Sequence, residues 1–250
     1  LQTNKTLGEN FNIGIETAEG GSFTIEGLNG NDDDGYTVGA QTIVVKGNIE
    51  TLTCYKNELV QIDLSACHGL KKLDCRGNKL TALDASPVGA LQWLACNDNE
   101  LTTLNVNNLG HLSELYCHNN KLGSLQVGTN AALVQLYCAN NVLSALDVSQ
   151  NRQLHVLICH QNRLRAIDVS NNTALTQISC GENQIDRMDV SHNVALKSLG
   201  CGANKLTTLD VSHNPALETL FAYENELTAL DLSHNPALQR LSVGNNSLSA

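Results

Sequence analysis

The stretch LKSLGCGANKLTTLDVSHNPA, Leu196 to Ala216, decides how the chain is read, because its 21-residue pattern recurs along most of the sequence. Cys54, Cys75, Cys96, Cys117, Cys138, Cys159, Cys180 and Cys201 stand 21 residues apart, and Ala222 and Val243 continue the series. Three residues after each of these ten positions comes an asparagine, from Asn57 to Asn246 without a gap. Five residues before each comes Ile49 or a leucine, from Leu70 to Leu238, and two before each comes Leu or Ile. A fixed period of this length marks stacked repeats, in which each unit buries its apolar face only against its neighbours.

The unit reads L-x-x-L-x-C-x-x-N-x-L, the leucine-rich-repeat pattern with Cys at the second strand position. In L-x-C, apolar and polar residues alternate, so Leu and Cys face inward and their neighbours outward. Successive coils then lay short parallel strands side by side, about 4.8 Å apart. The asparagine sits where the chain leaves the sheet, and its amide suits the backbone groups that the turn leaves unpaired. The second half, as in LTTLDVSHNPAL (Leu206 to Leu217), also alternates, with Leu209 and Val211 in and Asp210 out. A coil of 21 residues leaves little room for a helix, so an extended or single-turn return side is expected, closed by Ser212, Asn214 and Pro215. The fold class is a leucine-rich-repeat solenoid, a helix-poor form of the α/β-class superhelix. Its parallel sheet forms the concave face.

Ten such repeats run from residue 49 to 250, the last incomplete. Residues 1–48 lack the pattern and read as a β-rich cap around the polar turn NGNDDDG. Val38 and Ile43 fall 21 residues before Leu59 and Leu64, which suggests a partial zeroth coil over the open end of the core. The first residue is Leu rather than Met, and the chain stops at NNSLSA halfway through a coil. A trimmed start and a further C-terminal chain, domain or partner are therefore expected in the natural protein.

The unit with L-D-V-S-x-N-P-x-L as its second half resembles the internalin J-like branch of bacterial leucine-rich-repeat surface proteins. The resemblance is clearest in LTTLDVSHNPALETL (Leu206 to Leu220) and LDCRGNKLTALDAS (Leu73 to Ser86), and it extends from about Ile49 to the C-terminus. It implies a secreted or surface-anchored bacterial protein that binds a partner through its concave sheet. The implied settings are adhesion, biofilm formation, virulence or host contact. It implies no defined ligand.

The cysteine ladder has a bland reading. In-register thiols pointing the same way suit a disulfide poorly, since that bond needs Cβ atoms about 3.8 Å apart with a specific twist. Zinc needs ligands that converge. Buried Cys acting as a small hydrophobe remains. Only Cys67 lies off the ladder. A second ladder, Asp63, Asp84, Asp147, Asp168, Asp189, Asp210 and Asp231, is interrupted by Asn105 and Gln126. Stacked carboxylates could hold calcium, but substitution by amides favours a bond from each side chain to its own turn. His192, His213 and His234 recur at the return turn and read as solvated residues. No metal or cofactor is called for.

The outward strand positions are more informative. Tyr55, Trp93, Tyr116, Tyr137, Phe221 and Tyr223 are the six aromatics of the repeat region, and all occupy them. Tyr116 and Tyr137 share one column, and His118 and His160 the next. Trp93, Val156 and Ile158 extend this patch, and Phe221 with Tyr223 forms a second cluster. Aromatics on the solvent side of a sheet either pair across strands or anchor an interface. The candidate ligand-binding residues are thus Trp93, Tyr116, His118, Tyr137, Ile158, His160, Phe221 and Tyr223.

The predicted function is a non-enzymatic binding module that recognises a protein or glycan on a host or bacterial surface. A spacer that holds another domain off the cell surface is the alternative. An enzyme is disfavoured: His118, His160, Glu114 and Glu182 share the sheet face, but nothing there supplies an exposed nucleophile, so no catalytic residue is assigned. A net charge of −10 argues against nucleic acid as partner. No apolar run approaches the ~18 residues of a spanning helix, which argues against membrane insertion.

Overall fold

A computed structural model describes residues 1–249. The chain divides into two compact units, Leu1–Leu122 and Gly123–Ala250.

The first unit joins two kinds of sheet. Its N-terminal part is antiparallel: Gly35–Val38 pairs with both Asn10–Phe11 and Leu28–Asn31, and Phe23–Glu26 pairs with Val44–Gly47. The hairpin at Asn31 is closed by its own side chain, whose Oδ1 accepts hydrogen bonds from the N–H groups of Asp33 and Asp34. From Ile49 onward the strands Ile49–Thr53, Lys72–Asp74, Trp93–Ala95 and Glu114–Tyr116 run parallel, and each pairs with the residue 21 positions away. The strand beside Ile49–Thr53 on its other side is Gly14–Thr17, and it runs antiparallel. Gln2–Thr3 meets Leu59–Gln61 in the same sense. Phe11, Val38 and Ile43 of this leading segment are buried.

The second unit holds six parallel strands in the same 21-residue register, Gln135–Tyr137, Val156–Ile158, Gln177–Ser179, Ser198–Gly200, Thr219–Phe221 and Arg240–Ser242. Between them the chain returns in extended form and closes on turns such as Asn193 N–H to Val190 C=O at 3.0 Å and Leu196 N–H to Asn193 C=O at 2.9 Å. No helix occurs among the described residues. Hence none is long and apolar enough to cross a membrane.

In both units the core is the inward Leu and Cys of each coil. Leu73, Cys75, Leu94, Cys96, Leu199 and Cys201 are all fully buried. All nine cysteines are free thiols. Burial pushes the thiols of Cys54, Cys96 and Cys201 up to about 12, because an anion there would have no solvent. The asparagines bridge coils. Asn183 Nδ2 donates to the carbonyls of Cys159 (3.1 Å) and Cys180 (3.0 Å), while its Oδ1 accepts from Leu164 N–H at 2.9 Å. The residue before it, Glu182, has left-handed backbone (φ 52°), as do Asp98, Gln161, Ala203 and Glu224 at the same place in their coils.

A second asparagine ladder lies on the return side of the second unit. Asn151, Asn172, Asn193, Asn214 and Asn235 are buried. Each donates from Nδ2 to two backbone carbonyls of the preceding coil; Asn193, for example, donates to Val169 and Asn172. In the first unit the corresponding positions carry Cys67, Val88 and Leu109. Cys67 therefore occupies a repeat position, and it is half-buried there.

Candidate functional site: the outward face of the sheet

Side chains reach this face because two positions per strand flank the inward Cys. On the first unit the register brings Trp93 and Tyr116 onto neighbouring strands, with ring centroids 5.6 Å apart and planes tilted by 46°. Lys72 lies over the Trp93 ring, its Nζ 4.8 Å from the centroid. Tyr116 OH donates to Glu114 Oε2 at 2.7 Å, which fixes the phenol. Arg76 lies over Tyr55 at 5.5 Å. His118 is half-buried on the same side. The result is an amphipathic platform of rings, two cations and a carboxylate, suited to stacking and hydrogen bonding.

On the second unit the outward columns read Tyr137, Ile158, Ser179, Gly200, Phe221 and, beside them, Ala139, His160, Gly181, Gly202, Tyr223. Tyr137 is half-buried. Ile158 is only 9% exposed, covered between its register neighbours Tyr137 and Ser179, so it offers a partner little surface. The next two coils carry almost no side chains, and a shallow hollow of about 200 Å³ opens there. His160 and Ser179 bound it on one side, Phe221 and Tyr223 on the other, with Glu182 at the rim. His160 Nδ1 lies 3.2 Å from Ser179 Oγ. Phe221 is 40% exposed. A Cβ on Gly202 would sit 2.7–2.8 Å from three atoms of the Tyr223 ring, so the absent side chain is what lets that ring lie across the strand.

Five of the eight sequence-predicted residues therefore fall into a platform (Trp93, Tyr116) and a hollow (His160, Phe221, Tyr223). Glu114 and Glu182, which the sequence reading already places on this face, complete the two features together with Lys72 and Ser179, and only periodic alignment of the outward columns could have flagged the last two. The Asp ladder points elsewhere. Each Asp Oδ1 accepts from the N–H of the serine two residues on, from 2.8 Å at Asp210 to 3.0 Å at Asp84. Those serine bonds hold Asp63, Asp147, Asp168, Asp189, Asp210 and Asp231 below the usual carboxylate range. His192, His213 and His234 are exposed, each beside the hydroxyl of the preceding serine. Among the described residues no three His, Cys, Asp or Glu side chains are grouped to hold a metal.

Comparison with solved structures agrees with this geometry. The functional domain of InlJ from Listeria monocytogenes, described as including a cysteine ladder, superposes with a TM-score of 0.77 and 36% identity. The chain is an internalin J-like leucine-rich-repeat protein. The match covers 79% of this chain and 44% of the InlJ domain, so the chain spans less than half of that relative's length. The leucine-rich-repeat domain of APL1B follows at 26% identity and a TM-score of 0.65, covering 79% of this chain and 64% of that one. A leucine-rich-repeat protein of Leptospira interrogans, at 22% identity and a TM-score of 0.61, covers 79% of this repeat chain and 67% of its own, and shares the fold. Neither the protein-family models nor the curated proteins give a match.

Proposed function

We propose that this internalin J-like chain is a non-enzymatic binding module of a secreted or surface-displayed bacterial protein. It recognises a protein or glycan partner through the concave sheet, in adhesion, biofilm formation or host contact. The observation that supports this most is the ring pair Trp93–Tyr116, with Lys72 over the Trp93 ring, held on the outward face of a sheet whose core needs none of them. Tyr and Trp in such settings are the usual anchors of interfaces. Repeat folds commonly use this extended surface for binding. Acid–base chemistry has weaker support, because Glu114 is engaged by the Tyr116 hydroxyl and the face is open to water.

The test is an array of immobilised host and bacterial surface proteins and glycans, probed with the wild-type chain and with the double variant Tyr116→Ala, Tyr137→Ala. Partners held by the wild type are expected to be lost by the variant at unchanged far-UV circular dichroism. Unchanged binding by the folded variant would sink the assignment of this face.

A further inference from the structure

We infer that the hollow on the second unit is a guanidinium pocket, which accepts an arginine side chain of a protein partner. This rests on the reading of the sheet face as a binding surface, and it names the chemistry of one contact there.

The shape comes first. Gly181 and Gly200 leave bare backbone between Ser179 and the Phe221 ring, and the Tyr223 ring lies over Gly202, so a slender side chain can lie along the floor beside that ring. The Gly200 and Gly202 carbonyls of that floor already accept sheet bonds, from Cys180 N–H at 2.8 Å and Glu182 N–H at 2.9 Å, so the walls supply the further acceptors that a cation needs. The walls supply one ring face that lies flat across the strand, an exposed phenyl, a hydroxyl and a carboxylate.

Charge selects the occupant. Glu182 receives a neutral donor, Gln161 Nε2 at 3.0 Å, and among the described residues no Lys or Arg pairs with it. Glu224, two coils along the same column, also has no cation among the described residues. Some acidic residues of the first unit are paired with a base on the neighbouring coil, as in Lys79–Glu58 and Lys121–Glu100, each at 2.8 Å, and Glu182 has no such partner among the described residues. No lysine or arginine lines the hollow. A partner side chain that covers the hollow excludes water from Glu182, and it must then bring the missing positive charge. A guanidinium does so while stacking on Tyr223 and presenting a planar fork to the carboxylate. A lysine ammonium brings the charge without the plane. A neutral sugar stacks on the rings but leaves the carboxylate without a counter-ion.

The experiment is an NMR titration of the ¹⁵N-glycine-labelled chain with the peptide acetyl-Gly-Arg-Gly-amide. The same peptide carrying citrulline, the same peptide carrying lysine, and a set of methyl glycosides serve as controls. The arginine peptide is expected to shift the Gly200 and Gly202 amides saturably, with binding weakened about tenfold by Glu182→Gln and further by Tyr223→Ala. Glutamine already occupies the equivalent left-handed position at Gln161, so Glu182→Gln keeps the fold. Weaker or absent shifts with citrulline and lysine complete the expected result. Equal shifts from citrulline, shifts from a glycoside in place of arginine, or arginine binding indifferent to Glu182→Gln would each overturn the guanidinium assignment. Those outcomes leave the broader reading of the sheet face to the Tyr116 and Tyr137 variant, which tests it separately.

Discussion

At the residue scale the ladder position asks for a small apolar group. Cys180 is fully buried among leucines, and Ala222 fills the equivalent slot two coils later. Cys180→Ala is therefore expected to lower stability by about 1 kcal/mol, against about 2–5 kcal/mol for Leu199→Ala, which opens a larger void. Thermal unfolding of the two variants checks the ranking. The same burial makes a pH prediction. The thiols of Cys54, Cys96 and Cys201 titrate near 12 in the folded chain and near the ordinary thiol value when unfolded. Above the unfolded value the unfolded state loses protons that the folded state keeps. Stability is thus whole below about pH 8.5 and falls as pH rises toward 12. Mass spectrometry after alkylation at pH 8 should find Cys67 labelled first and the eight ladder thiols only after unfolding.

At the scale of the coil, hydrogen bonds replace the helix that the coil has no room for. Removing Asn183 orphans Leu164 N–H and takes from the Cys159 and Cys180 carbonyls one of their two amide donors, leaving Asn162 and Asn204 as the others, in a part-buried strip. Asn183→Ala is expected to cost at least about 2 kcal/mol, since each unmade buried bond costs about 1–3. A denaturant titration that shows no loss would refute the bridging role. The residue before each ladder asparagine carries strain of a different kind. Ala203 has a Cβ at φ 53°, where Gly77 in the first unit has none at φ 67°. Relief of the left-handed strain, about 1–2 kcal/mol, outweighs the extra freedom of an unfolded glycine, about 0.4–1 kcal/mol. Ala203→Gly should therefore raise the melting temperature, and a fall would show that the Cβ makes compensating contacts.

At the scale of the whole molecule, residues 1–48 are proposed as a cap. Gly14–Thr17 occupies the edge of Ile49–Thr53, and Phe11, Val38 and Ile43 are buried beside the first coil. An exposed strand edge invites aggregation, so deletion of residues 1–48 is expected to give a chain that associates on gel filtration where the intact chain does not. A monodisperse, equally stable deletion would argue against capping.

The repeat itself was legible in the sequence because each inward slot accepts few side chains, and a 21-residue spacing can satisfy all of them only in stacked coils. The aromatic positions were legible for the same reason, as the strand alternation leaves Trp93, Tyr116 and Phe221 no inward place. Three things needed the folded chain. The antiparallel run of Gly14–Thr17 depends on long-range pairing that two short polar-flanked segments do not advertise. The return-side asparagines looked like turn residues until their amides were seen to reach carbonyls one coil back. The hollow arises from side chains that are missing at Gly181 and Gly200, and only the lateral register of the sheet sets that gap against Tyr223, Ser179 and Glu182.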